Sequence, residues 1–114
     1  KFKPKQSISD TPLRLLSISP RNGATVSSLQ PEITLEFSRI VSPDNLKLSL
    51  LASDDNAEAE WEIVQNMGRK ITIRPTEKLS NYRSYQILIE KDTQDFAGNT
   101  LESNRESVFL PIKR

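Results

Sequence analysis

Apolar and polar residues alternate along most of this chain. In Ile33-Thr34-Leu35-Glu36-Phe37-Ser38 every second side chain is apolar, which gives an extended strand one buried face and one wet face. Leu46, Leu48 and Leu50 alternate with Lys47 and Ser49, and Tyr85, Ile87 and Ile89 repeat the pattern around Gln86 and Leu88. Four further runs read as strands: Leu13 to Ser19, Trp61 with Ile63, Ile71 with Ile73, and Val108 to Ile112. The last is ambiguous in parity, and Phe109 is taken as its inward residue, with Val108 and Leu110 outward. No window holds the i, i+3, i+4, i+7 spacing long enough to require a helix.

Turn chemistry separates these runs. Pro20-Arg21-Asn22-Gly23 must turn, because Pro20 lacks a ladder donor and Gly23 tolerates positive φ. Ser42-Pro43-Asp44-Asn45 is a loop, Asn66-Met67-Gly68-Arg69 is a hairpin turn, and Asp54-Asp55-Asn56-Ala57 is a solvated loop. Val26 and Leu29 are read as caps on one end of the core, before Pro31 opens the next strand. Short strands at this spacing predict an all-β sandwich or barrel. The most telling stretch runs from Ile71 to Asn99. It has a strand, Pro75, a loop carrying Leu79, an alternating strand from Tyr85, and the polar turn Asp95-Phe96-Ala97-Gly98-Asn99. That order fits a chain passing from one sheet to the other.

The landmarks, taken in order, resemble a bacterial Ig-like domain family found repeated in S-layer and other surface proteins, related in architecture to fibronectin type III. The resemblance rests on Pro20-Arg21-Asn22-Gly23-Ala24, then Ile33 to Ser38 with Val41 and Pro43. It continues with Ile71 to Pro75, Leu79, Tyr85 with Ile87, and Asp95 to Leu101. It covers about Leu13 to Phe109 and implies a seven-stranded immunoglobulin-like β-sandwich with Greek-key connections. The structural positions it marks are Phe37, Pro75, Leu79, Tyr85, Gly98 and Asn99. Tyr85 stands where such sandwiches place a corner tyrosine, ring inside and hydroxyl bonded to nearby backbone. Leu79 would plug the core beneath that crossing. The acidic stretch Ala52 to Glu60 is long for a connection in this fold and departs from the pattern.

Composition narrows the chemistry. The 114 residues suit one domain, here residues 13–114 after a polar, Pro-broken tail or linker at 1–12. A chain of this size buries roughly two thirds of its unfolded surface and needs no metal or crosslink to stand. It has no cysteine and no histidine, so thiolate sites, disulfides, imidazole ligands and the usual neutral-pH base are absent. The net charge of +1 gives no pull toward nucleic acid or anionic lipid. No apolar run approaches the roughly 20 residues that span a bilayer. The chain opens at Lys1 with no methionine and no signal-peptide core, which fits a mature or excised piece of something longer.

Candidate chemistry is sparse. Asp92, Asp95 and Asn99 are oxygen donors on one turn and are weak calcium candidates. Their spacing misses an EF-hand loop, and Asx residues often serve only their own turn. Asp54, Asp55, Glu58, Glu60 and Glu62 read as a solvated loop and edge. Trp61 reads as a half-buried core or rim aromatic. A nucleophilic serine lacks a histidine base, paired carboxylates lack a cleft, and three glycines make no phosphate loop. The chain is not expected to be an enzyme and calls for no cofactor.

Outward parity leaves Leu51, Leu88, Val108 and Leu110 on three strands that an Ig-like sandwich sets side by side. They form a possible contact face, unless Phe2 and Ile8 of the tail cover it. The first expectation is a non-catalytic structural, spacer or assembly module of a bacterial cell-envelope or secreted protein, with periplasmic placement also open. Its partners would be neighbouring domains of the same chain or envelope proteins, without nucleic acid or membrane insertion. The alternative is an adhesin or carbohydrate-binding module using Arg39, Asp44, Asn45 and the Thr93 to Asn104 loop, where Phe96 is the one aromatic platform.

Overall fold

The computed structural model describes residues 12–114. Among these residues nine strands follow in order: β1 (Leu15–Ser19), β2 (Ala24–Val26), β3 (Ile33–Phe37), β4 (Leu48–Ala52), β5 (Glu58–Ala59), β6 (Trp61–Met67), β7 (Lys70–Pro75), β8 (Tyr85–Ile89) and β9 (Arg105–Pro111). A single turn of 3-10 helix at Pro43–Asn45 interrupts them. Two sheets result, one ordered β1-β3-β7-β6 and the other β2-β9-β8-β4-β5. The chain crosses between them from β3 to β4 and from β7 to β8, as a Greek-key sandwich does.

Nine strands stand where alternation predicts seven, and the two additions share one cause. Each is a short piece laid down where the chain changes sheets. The run from β1 turns through Pro20–Gly23 and continues as β2 beside β9 in the other sheet. The β5 pair sits against Leu50 and Leu51, after which Glu60 carries the chain into β6 of the opposite sheet. Val26, read as an end cap, therefore lies in a strand opposite Pro111. The acidic segment read as a loop holds β5. At the start, Leu13 falls outside β1 and bridges Leu101 instead.

The inward faces build one core. Ile33, Leu35 and Phe37 meet Ile71 and Ile73 in one sheet, facing Leu48, Leu50, Tyr85, Ile87, Ile89 and Phe109 in the other, and all are buried. Phe109 points inward, leaving Val108 and Leu110 outward and half-buried. Tyr85 and Phe109 lie directly opposite in register, with ring centres 6.1 Å apart and planes 24° from parallel. Such aromatic pairs add about 0.5–1.5 kcal/mol beyond their burial. Ser107 also faces the core, and its hydroxyl donates to the Pro20 carbonyl at 2.8 Å. That bond answers the desolvation a lone buried hydroxyl would carry.

The described chain comes in at one end, where the Leu13 amide donates to the Thr100 carbonyl, and leaves at the other. There the Ile112 amide donates to Val26 and the Lys113 amide to Asn81. The length of β9 separates these ends, about 20 Å at strand rise. Both edge strands of the four-stranded sheet also carry bulges, at Leu15/Ser17 in β1 and Ile63/Gln65 in β6. The apolar Leu16 and Val64 sit exposed in those bulges.

Candidate functional site

The loops at the incoming end are organised around one buried carboxylate. Asp95 is 2% exposed. Its Oδ1 accepts from the amides of Ala97 and Asn99, each at 2.9 Å, and its Oδ2 accepts from Asn99 Nδ2 and Arg39 Nη1, each at 3.1 Å. Gly98 turns the chain at φ +87°, a conformation that side chains with a Cβ resist. Burial pushes the Asp95 carboxyl up, but donation from the Asn99 side chain and backbone, Arg39 and Ala97 outweighs it, and the net direction is down. Of the three cation candidates, Asp95 and Asn99 thus meet in one turn and donate to and accept from each other. Asp92 is exposed and takes no part in that turn. The four donors to Asp95 occupy the lone pairs that a cation would need.

The same end gathers the loops named for ligand binding. Buried Thr93 accepts from the Lys47 amide through Oγ1 at 3.0 Å, Gln94 donates to the Asn45 carbonyl, and Asp95 bridges Val41. Arg39, Asp44, Asn45 and the 93–104 loop do lie together. Phe96 stands 71% exposed, and its amide reaches the Ile40 carbonyl. Ile40 and Met67 are also exposed, Ile40 lying within van der Waals reach of a Cβ placed on Gly68. Sequence reasoning missed Ile40 as a surface group, because Arg39-Ile40-Val41 carries no alternation to mark which side chain turns inward.

At the outgoing end the chain is pinned by its tyrosine. The Tyr85 ring is buried and its Oη accepts from the Ser80 amide at 2.8 Å. Buried Leu79 donates its amide to the Leu29 carbonyl, which ties the loop to the segment leading from β2 into β3. Pro75 closes β7 opposite the half-buried Trp61. The Arg83 guanidinium lies 5.9 Å from the Tyr85 ring centre and is held by Asp54 and Asp55 at 3.0 and 2.9 Å. Their pairing lowers the Asp54 carboxyl, chiefly through the Arg83 hydrogen bond, and raises Arg83 through the same bond. Part of the acidic stretch therefore has a partner in its own chain. An open groove of about 390 Å³ runs between β5 and the Thr76–Leu79 loop, lined by Glu58, Glu60, Glu77, Lys78 and Arg83.

The outer face of the five-stranded sheet carries the four outward apolar residues, each half-buried. Leu51, Gln86 and Val108 form one row across β4, β8 and β9, and Ser49, Leu88 and Glu106 form the next. Leu110 pairs with Thr25. The apolar groups therefore meet on diagonals with polar residues between them. Phe2 and Ile8 lie outside the described residues.

A sequence profile described as a bacterial Ig-like domain matches residues 9–110. The chain belongs to the bacterial Ig-like domain family. No curated protein sequence matches it, but solved structures share its fold. The copper resistance protein PcoC of Escherichia coli superposes with a TM-score of 0.68 at 16% identity, over 84% of this chain and 96% of that one. CopC of Methylosinus trichosporium OB3b gives 0.68 at 19% identity, over 90% and 97%. Native alpha-2-macroglobulin of Escherichia coli gives 0.60 at 17% identity, over 93% of this chain and 34% of that one. These likenesses place this Ig-like domain within a shared sandwich architecture.

Proposed function

We propose that this Ig-like domain is a non-catalytic structural module, a spacer or assembly unit in a multidomain protein of the bacterial envelope or a secreted one. The observation that carries the reading is the course of the chain through the sandwich. It comes in beside Leu101 at one end of β9 and leaves beside Asn81 at the other, so successive units joined through these ends would extend as a string. The polar groups of the loops support it as well, because Asp95, Asn99 and Thr93 are engaged in holding their own backbone. Two copies fused head to tail and measured by small-angle X-ray scattering should have nearly double the maximum dimension of one. A compact side-by-side pair would overturn the spacer reading.

The likeness to copper resistance proteins does not carry copper chemistry to this chain. Imidazole, thiolate and thioether groups are the donors such a metal selects. The chain has no histidine, no cysteine and one methionine. A second reading, a carbohydrate-binding or adhesive module, is favoured by the exposed Phe96 on the clustered loops, since an exposed ring can stack on a sugar face. Screening the chain on a glycan array tests it, with Phe96→Ala expected to abolish any binding found.

A further inference from the structure

We propose that the β1–β2 run and β9 form a shear clamp that lets this domain carry tension along a multidomain chain. The inference rests on the spacer reading and adds a load-bearing role to it. The leading run is joined directly to the last strand through its β2 part, and the two are joined in parallel: Ala24, Thr25 and Val26 pair with Phe109, Leu110 and Pro111. Side-chain and backbone ties extend this join in both directions. The Gly23 amide donates to the Val108 carbonyl at 2.6 Å and the Ile112 amide to Val26 at 2.8 Å. The Val108 amide donates to Asn22 Oδ1 at 2.9 Å, Ser107 Oγ to the Pro20 carbonyl at 2.8 Å, and Arg105 Nη1 to the Leu15 carbonyl at 3.3 Å.

The direction of pull decides how these bonds are loaded. A force drawing the two chain ends apart pulls the leading run toward the incoming end and β9 toward the outgoing end. The bonds lie across the strands, evenly spaced as in any parallel pair. They are loaded together and must fail together. Had the terminal strands been antiparallel neighbours ending at one pole, the same force would have opened them one bond at a time.

Forced unfolding measures the barrier rather than the equilibrium stability, so constant-force stretching of single molecules is the test. The chain has no cysteine, and Ser27→Cys with Lys113→Cys gives a unique pair of handles flanking the Val26–Pro111 end of the ladder. Pulled through those handles the ladder peels, and pulled through the chain ends it shears. The clamp requires a clearly higher unfolding force in the second geometry. Asn22→Ala removes one tie and should raise the end-to-end unfolding rate at fixed force roughly fivefold. Thr76→Val, which removes the bond from the Thr76 hydroxyl to the Glu60 carbonyl beside β6 and away from the clamp, should leave that rate near the wild-type value. Equal forces in the two directions overturn the clamp, and they decide the matter alone if Asn22→Ala does not fold. That result would leave the spacer reading standing, since scattering from the fused pair judges it separately.

Discussion

The Tyr85 hydroxyl accepts a 2.8 Å hydrogen bond from the amide of Ser80, five residues earlier in the chain. The bond fastens the loop that carries the chain from β7 to β8 while the ring packs on Phe109 in the core. Tyr85→Phe keeps the ring and leaves the Ser80 amide without this partner, at a cost of about 1 kcal/mol. Tyr85→Ala also empties the ring's site and should cost roughly 3–5 kcal/mol. Denaturant unfolding of the two variants separates the contributions. An alanine variant as stable as the wild type would mean the crossover is not held here.

Asp95 makes stability depend on acidity in one direction. Its folded carboxyl lies below the ordinary value, near 3.9 for an unfolded aspartate. The stabilisation is therefore present above that value and is lost as the pH falls through the folded one. Asp95→Ala should cost about 3 kcal/mol at neutral pH, because Arg39 and the Asn99 amide lose their acceptor. The variant should also lose part of the wild-type decline in melting temperature below about pH 4. An unchanged acid profile would show that other carboxylates govern it.

Calcium should do nothing to this turn. The donors of Ala97, Asn99 and Arg39 already fill the Asp95 oxygens, and a cation would have to displace them. Calorimetric titration at millimolar calcium should give neither heat nor a melting shift. A saturable heat that Asp92→Asn removes would revive the metal site.

Leu88 tests the outer face as an assembly surface. Its side chain is half-buried between Ser49 and Glu106. If neighbouring units meet on this sheet, sedimentation at rising concentration should show association of the wild-type chain that Leu88→Glu removes. The variant's melting temperature should stay close to wild type, since the inward Ile87 and Ile89 are untouched. A monomer at all concentrations in both forms would turn the proposal away from self-assembly.

The parts of the fold legible in the sequence are those whose burial alternates. β3 and β8 follow from Ile33-Leu35-Phe37 and Tyr85-Ile87-Ile89, each buried at every second residue. Where a strand owes its existence to its neighbour instead, alternation says little. β2 and β5 are three and two residues long and form only because a sheet edge lies beside them. β9 begins at Arg105 rather than Val108, since Arg105-Glu106 faces water and Ser107 hides a hydroxyl inside. The Asp95 turn was visible as a turn, but its link to Arg39 spans 56 residues and no local pattern announces it. The parallel join of β2 to β9 was likewise out of reach, because it depends on where the chain changes sheets.

The two bulged strands of the four-stranded sheet would have a further consequence if such units were strung together on one chain. Copies tethered on one chain meet at high local concentration, where an open, regular margin would invite a neighbour's backbone to zip onto it. Each long margin here is kinked by an extra residue, and the margins of the other sheet are three and two residues long. Crowded copies would therefore find no straight rail to dock on, and each unit would keep its own fold beside its neighbours.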